Sequence, residues 1–188
     1  IPPEIQGRTV ALSADRLHAA ALLDDGSIVC WGYIQGSSVD PPDTLGTTVQ
    51  VVVAADCILA LDTEGVIVGW GRTEADTQGD PNDLFPIPQS IQGQVVSFDA
   101  TASRGLAMLN DGSMVEWSHG EIQKSFSADS LGAVRSFQAD RFILGEDGKL
   151  TPLDRFPGGL GNIPEDCTLL ACGTQHAIAM GRKASVKG

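Results

Sequence analysis

The chain has 188 residues, of which 42% are hydrophobic and 5% aromatic, and it contains 22 glycines and 10 prolines. This length and apolar content suit one globular domain, and frequent glycine and proline with few aromatic residues indicate short strands joined by turns. Twelve Lys and Arg against 24 Asp and Glu give a net charge of -12, the wrong sign for binding nucleic acid or an anionic membrane surface.

The first repeated unit is the clearest. Residues 10–14, 18–23 and 27–32 are three short apolar runs, and the Asp25-Gly26 pair separates the second run from the third. Asp-Gly is the strongest short-range hairpin signal, and the turn it favours is a two-residue type I′ turn with positive φ at both central residues. The unit therefore predicts three strands, the last two joined as a hairpin.

The same turn returns three times along the chain. The four turn glycines are Gly26, Gly65, Gly112 and Gly148. The residues five positions later are Trp31, Trp70, Trp117 and Leu153, and Gly32 and Gly71 follow the first two tryptophans. A large apolar side chain at one fixed phase of the third strand predicts a shared core position, and solvent-exposed stacking of the tryptophans is disfavoured.

The turns divide the chain into units at residues 8–47, 48–93, 94–132 and 133–167. Residues 168–188 form a partial unit that residues 1–7 complement, and residues 1–7 closely repeat the sequence of 87–93. Modules of about 40 residues with three or four antiparallel strands are typical of propeller blades. We predict an all-β protein, a small, irregular or incomplete β-propeller of about four to five antiparallel blades.

The signature of the first unit also carries a family resemblance. His18, an apolar strand, Asp25-Gly26 and Trp31-Gly32 resemble a repeat of the regulator of chromosome condensation family, and the likeness covers nearly the whole chain. Later units are degenerate, since Ser118 follows Trp117 where glycine is typical. The resemblance implies a β-propeller, which in this family commonly closes with seven blades. The family also includes bacterial propellers that inhibit β-lactamase.

No catalytic, cofactor or metal site is predicted. The resemblance implies a structural role for His18 and His176, which share one repeat position, with a hydrogen bond to neighbouring backbone. Aspartates directly before the turn glycines favour turn formation over acid-base chemistry. Residues 76–83 are rich in oxygen ligands but lack the ordered spacing and final Glu of an EF-hand, so a solvated loop is expected. We expect a chain that is not an enzyme.

The cysteines give little information about the compartment. Cys30, Cys57, Cys167 and Cys172 form no CxxC pair, so a zinc site is not expected; buried free thiols are favoured and disulfides stay open. No apolar stretch is long enough to span a membrane, and the first residues resemble neither a signal nor a transit peptide. We expect a soluble chain, either a processed mature protein or part of a longer one, and its localisation stays open.

The function that these patterns favour is a non-catalytic protein-interaction or scaffold module, an accessory structural subunit of a larger assembly. The connections after the third strands, residues 33–43 and 72–88, are the expected contact segments because length variation places them on an exposed face. The candidate contact residues are Tyr33, Asp40, Asp43, Arg72, Asp76, Asp80, Asp83 and Phe85. The family resemblance leaves two alternatives, a guanine-nucleotide exchange factor for a small GTPase and a secreted enzyme inhibitor.

Overall fold

A computed structural model describes residues 1–15, 17–34, 39–54, 57–71, 86–139 and 141–153, together with the backbone of 167–172 and 177–181. This part of the chain folds into five antiparallel sheets and a single four-residue α-helix, α1 (Ala128–Leu131). The predicted all-β architecture of blade-like sheets is therefore confirmed. No helix among the described residues is long and apolar enough to cross a membrane.

The first two sheets have three strands each. They are β1 (Thr9–Ala14), β2 (His18–Leu23) and β3 (Ile28–Gly32), then β4 (Thr48–Ala54), β5 (Cys57–Asp62) and β6 (Ile67–Gly71). In both sheets the strands pair in chain order, and the middle strand is buried along almost its whole length. An uninterrupted apolar run such as 18–23 fits this position, because a middle strand has neighbours on both edges and on both faces.

The third sheet has a fourth strand that the sequence patterns did not predict. Its strands are β7 (Val95–Ala100), β8 (Gly105–Leu109), β9 (Met114–Ser118) and β10 (Glu121–Phe126). The fourth sheet comprises β11 (Val134–Gln138), β12 (Phe142–Gly145) and β13 (Leu150–Pro152), and the fifth comprises β14 (Cys167–Cys172) and β15 (Ala177–Gly181). Within the described residues the five sheets do not close into a ring.

The hairpin turns differ from the predicted type. Gly26, Gly65, Gly112 and Gly148 have φ between 80° and 83°, but no other residue of these turns has positive φ. In the first turn the Gly26 N–H donates to the Leu23 carbonyl over 3.0 Å, and the Leu23 N–H donates to the Ser27 carbonyl over 2.9 Å. This is a three-residue loop closed by a left-handed glycine, so the expected two-residue type I′ turn is wrong here.

A turn with two positive φ angles lies instead between β9 and β10. His119 has φ 52° and Gly120 has φ 76°, and the flanking Ser118 and Glu121 are paired across the hairpin. These are the features of the two-residue turn that suits the right-handed twist of paired strands. The Ser118 hydroxyl lies 2.8 Å from His119 Nδ1, so the unusual histidine conformation has a local polar partner.

The hydrophobic core is divided into clusters between successive sheets. Ala20 and Leu22 of the first sheet pack with Val51, Val53 and Trp70 of the second. Further clusters of the same kind join the second sheet to the third and the third to the fourth. The second and third sheets therefore each have one face toward the preceding sheet and one toward the following sheet, as in stacked propeller blades.

Polar contacts between first strands fix the positions of the neighbouring sheets. The Val53 N–H donates to Ser13 Oγ over 2.8 Å, and the Ala139 N–H donates to Asp99 Oδ2 over 2.8 Å. In both cases the acceptor precedes the donor by 40 residues, one repeat along the chain. Val53 lies in β4 and Ala139 directly follows β11, so each bond ties the first-strand region of one sheet to the first strand of the sheet before it.

Candidate protein interface

Three of the four repeat positions five residues after the turn glycines pack against the preceding sheet. Trp70 packs in the cluster between sheets one and two, Trp117 in that between sheets two and three, and Leu153 in that between sheets three and four. Trp31 packs only against the N-terminal Ile5 and its own sheet, and it remains partly exposed. The difference follows from position, since no described sheet lies in front of the first one.

The same asymmetry is strongest on the first strand. Leu12, Val51 and Phe98 occupy equivalent positions in the first three sheets. Each pairs with an alanine of the neighbouring strand that lies five residues before the turn glycine. Val51 and Phe98 are 6% and 1% exposed, whereas Leu12 is 62% exposed. We call the surface formed by Leu12, Ala14 and Trp31 the leading face. It is a face of inter-sheet type that lacks a covering sheet in the described structure.

The connection after the first sheet is anchored rather than free. Ile34 is buried, Val39 and Leu45 pack against the core between sheets one and two, and Trp70 Nε1 donates to the Val39 carbonyl over 3.0 Å. Tyr33 and the acidic residues Asp40 and Asp43 remain exposed, as a contact segment requires. The remaining predicted contact residues, Arg72, Asp76, Asp80, Asp83 and Phe85, lie outside the described residues.

The predicted structural histidine shows one departure from expectation. His18 is buried at the start of β2, but its Nε2 atom has no hydrogen-bond partner in the described part of the chain. Its Cα and Cβ lie beside Gly32, where an added Cβ would come within 3.0 Å of the histidine Cβ. Gly32 therefore leaves room for His18, whereas the expected hydrogen bond is not observed at this nitrogen. His176 lies outside the described residues.

The turn aspartates act as local acceptors. Asp25 Oδ1 accepts from the Ser27 hydroxyl over 2.6 Å and from the Ser27 N–H over 3.0 Å, and Asp111 makes the same two bonds to Ser113. The hydrogen bond from the Ser27 hydroxyl, then that from its N–H and then the one from Arg8, lower the pKa of Asp25 to about 2. Such bonds to the ionised form hold the turn, which accounts for these carboxylates without catalysis.

A buried ion pair in the third sheet was not predicted. Arg104 Nη1 contacts Glu116 Oε1, and the Glu116 side chain is only 2% exposed. Glu116 Oε2 has no hydrogen-bond partner among the described residues. One residue along, Gly105 lies directly under the Trp117 ring, and an added Cβ would overlap three of the indole carbons. The repeat pattern predicts neither the ion pair nor the close packing, because Glu116 and Gly105 differ from the residues at the same positions of the first unit, Cys30 and Ala19.

Two of the four cysteines, Cys30 and Cys57, have described side chains. Cys30 and Cys57 are in the thiol form, and burial, with a smaller contribution from Asp40, raises the pKa of Cys30 to about 12. The side chains of Cys167 and Cys172 lie outside the described residues. Across the part of the chain with described side chains, no group of three or more His, Cys, Asp or Glu residues could hold a metal ion.

Solved structures of β-propellers are similar to this arrangement. Human WBSCR16 matches with a TM-score of 0.65 and 18% identity, over 92% of this chain and 59% of its own. Prp20p from Saccharomyces cerevisiae, described with its binding to Gsp1p and histones, matches with a TM-score of 0.67 and 20% identity, over 97% of this chain and 58% of its own. Yeast RCC1 (Prp20) bound to Kap60 matches with a TM-score of 0.61 and 14% identity, over 100% and 57%.

These similarities establish the fold. No protein-family model and no curated protein sequence matches the chain. The chain spans less than two thirds of the length of the matched chain in each of these three structures. The expected β-propeller fold is confirmed, and the solved structures to which the chain is similar include Prp20, the yeast RCC1.

Proposed function

We propose that the chain is a non-catalytic protein-interaction module, and that it serves as an accessory structural subunit whose partner covers the leading face. The observation that carries this proposal is the exposure of Leu12 at a position where the equivalent side chains of the next two sheets are buried. Leucine at such a position contributes to binding only when another surface removes it from water.

The similar solved structures, the net charge of the chain and the exposed residues near the leading face support a protein as the partner. Prp20p (yeast RCC1), one of the structurally similar propellers, is described with protein partners, namely Gsp1p and histones in one structure and Kap60 in the other. A net charge of -12 favours a partner whose surface is basic or neutral, since like charges across an interface are repulsive. The exposed Tyr33, Asp40 and Asp43 add polar contacts on the anchored connection of the same sheet.

Affinity recovery of the protein from its native source tests the proposal. In Leu12→Asp an unpaired charge would enter the covered interface, and we expect recovery of the associated proteins to fall at least about tenfold, which corresponds to about 1.4 kcal/mol. Val96→Asp is the matched control, because Val96 is 49% exposed on the third sheet and its counterparts Val10 and Val49 are also exposed. Equal recovery with both variants, or no associated protein with the wild type, would contradict the proposal.

A further inference from the structure

A cavity lies among the first strands of the second, third and fourth sheets. Its volume is about 350 Å³, and β4, β7 and β11 supply most of its walls. Because one water molecule occupies about 30 Å³ of liquid, this space holds several waters or one long side chain. None of its lining residues belongs to the first sheet, which carries the leading face.

The carboxylate of Asp99 is the main polar group of this cavity. Asp99 Oδ2 accepts the Ala139 N–H over 2.8 Å, and no Lys, Arg or His in the described part of the chain forms an ion pair with it. Burial raises the pKa of Asp99, and the hydrogen bonds from Ala139 and Ala100 offset only part of that effect. A half-buried carboxylate without a counter-ion is unfavourable, and a bound cation would relieve the unfavourable interaction.

Gln50 and Ser136 are two further polar residues that line the cavity. The Gln50 side-chain amide is already occupied, since Nε2 donates to the Phe98 carbonyl over 2.6 Å and Oε1 accepts the Phe98 N–H over 3.1 Å. Ser136 also lines the cavity, and its buried Oγ has no hydrogen-bond partner in the described structure. Ser136 Oγ is fully buried and therefore out of reach of a ligand in the cavity, and Gln50 holds β4 and β7 in place.

A cationic wall residue is neutralised by its own partner. Arg135 lines the cavity, but its Nη2 lies 2.7 Å and its Nε 3.0 Å from Glu146 Oε2. This two-point pairing compensates the Arg135 charge. The cavity thus presents one carboxylate that has no ion-pair partner among the described residues, beside the side chains of Met108 and Phe137.

We propose that this cavity binds a guanidinium group carried on a short apolar stem, with Asp99 as its counter-ion. Guanidinium fits better than ammonium because its planar fork matches the two oxygens of one carboxylate, is weakly hydrated and stacks on an aromatic face such as that of Phe137. The group comes either from an arginine side chain of a partner protein or from a free small molecule. The site is independent of the leading face and goes beyond the proposed function.

Amide chemical-shift titration of the full chain tests the assignment. n-Butylguanidinium is expected to shift the Asp99 and Ala139 amide signals with saturation, and neutral n-butylurea is expected to bind at least about tenfold more weakly. Asp99→Asn keeps the side-chain size and an acceptor for the Ala139 N–H, so it should fold, and it should weaken n-butylguanidinium binding at least tenfold. Asp129→Asn removes an exposed carboxylate elsewhere and should change the affinity less than twofold.

Two outcomes would overturn the assignment. If n-butylurea binds as tightly as n-butylguanidinium, the cavity selects for shape and not for charge; if Asp99→Asn binds like the wild type, the counter-ion is not Asp99. A capped Gly-Arg-Gly peptide distinguishes the two sources of the group. Tighter binding of the peptide than of n-butylguanidinium supports a partner's arginine, and weaker binding supports a free guanidinium compound.

Discussion

Gly105→Ala should destabilise the protein through the packing of Trp117. The added Cβ would overlap indole carbons of Trp117, whose side chain is fully buried between the second and third sheets and cannot move into solvent. Overpacking of this kind costs about 1–3 kcal/mol. For a domain of about this size, each kcal/mol lowers the melting temperature by about 2–4 °C. Urea-induced unfolding followed by far-UV circular dichroism measures the change in free energy of unfolding.

A control and a double variant separate steric overlap from the general effect of alanine. Gly46→Ala meets nothing closer than 3.8 Å and has no positive φ, so it should leave stability unchanged or raise it by up to about 1 kcal/mol. Trp117→Ala alone should cost about 3–5 kcal/mol. Since removing the indole removes the overlap, the double variant should be about 1–3 kcal/mol more stable than additivity predicts. Additive effects, or a Gly105→Ala variant as stable as the wild type, would refute the packing argument.

Three further experiments test two polar contacts and the burial of one thiol. Arg104→Ala should lower the free energy of unfolding by about 3–5 kcal/mol, because it leaves Glu116 buried without a counter-ion, and adding Glu116→Gln should restore part of it in the same urea titration. Asp25 should titrate near pH 2 by carboxyl NMR, and Ser27→Ala should raise that pKa; since the folded pKa lies below its usual 3.8, the stabilisation is present above pH 4 and is lost as the pH falls toward 2. Cys30, with its pKa raised to about 12, should react with iodoacetamide at pH 8 much more slowly than in the urea-unfolded chain, as mass spectrometry of the alkylated peptide will report.

The regular part of the fold could be predicted from the sequence because it repeats. Turn glycines at a constant distance from Trp31, Trp70, Trp117 and Leu153 placed one apolar side chain at the same phase of each third strand, and that phase sets the position of the hairpins. Because an apolar residue recurs at this position in every unit, the position could be assigned to the core before the opposing sheet was known. Trp31 shows the limit of this inference, because burial at the same phase depends on a preceding sheet.

The irregular features had weaker signals. β10 was missed because its outward positions are polar and exposed, so it lacks the apolar run that marked the other strands. The turn type was wrong because Asp-Gly is compatible with two loops, and the aspartate acceptor bonds select the one with a single left-handed residue. The Asp99 cavity combines residues 50 and 136, which lie in different sheets, and no local pattern brings them together.

Hydrogen–deuterium exchange on the native assembly and on the isolated chain tests the central claim most directly. If a partner covers the leading face, peptides spanning residues 9–14 should exchange more slowly in the assembly, and those spanning residues 95–100 should exchange equally in both samples because β7 is already covered by the second sheet. Equal exchange of residues 9–14 in both samples would contradict the claim that the first strand is an interface.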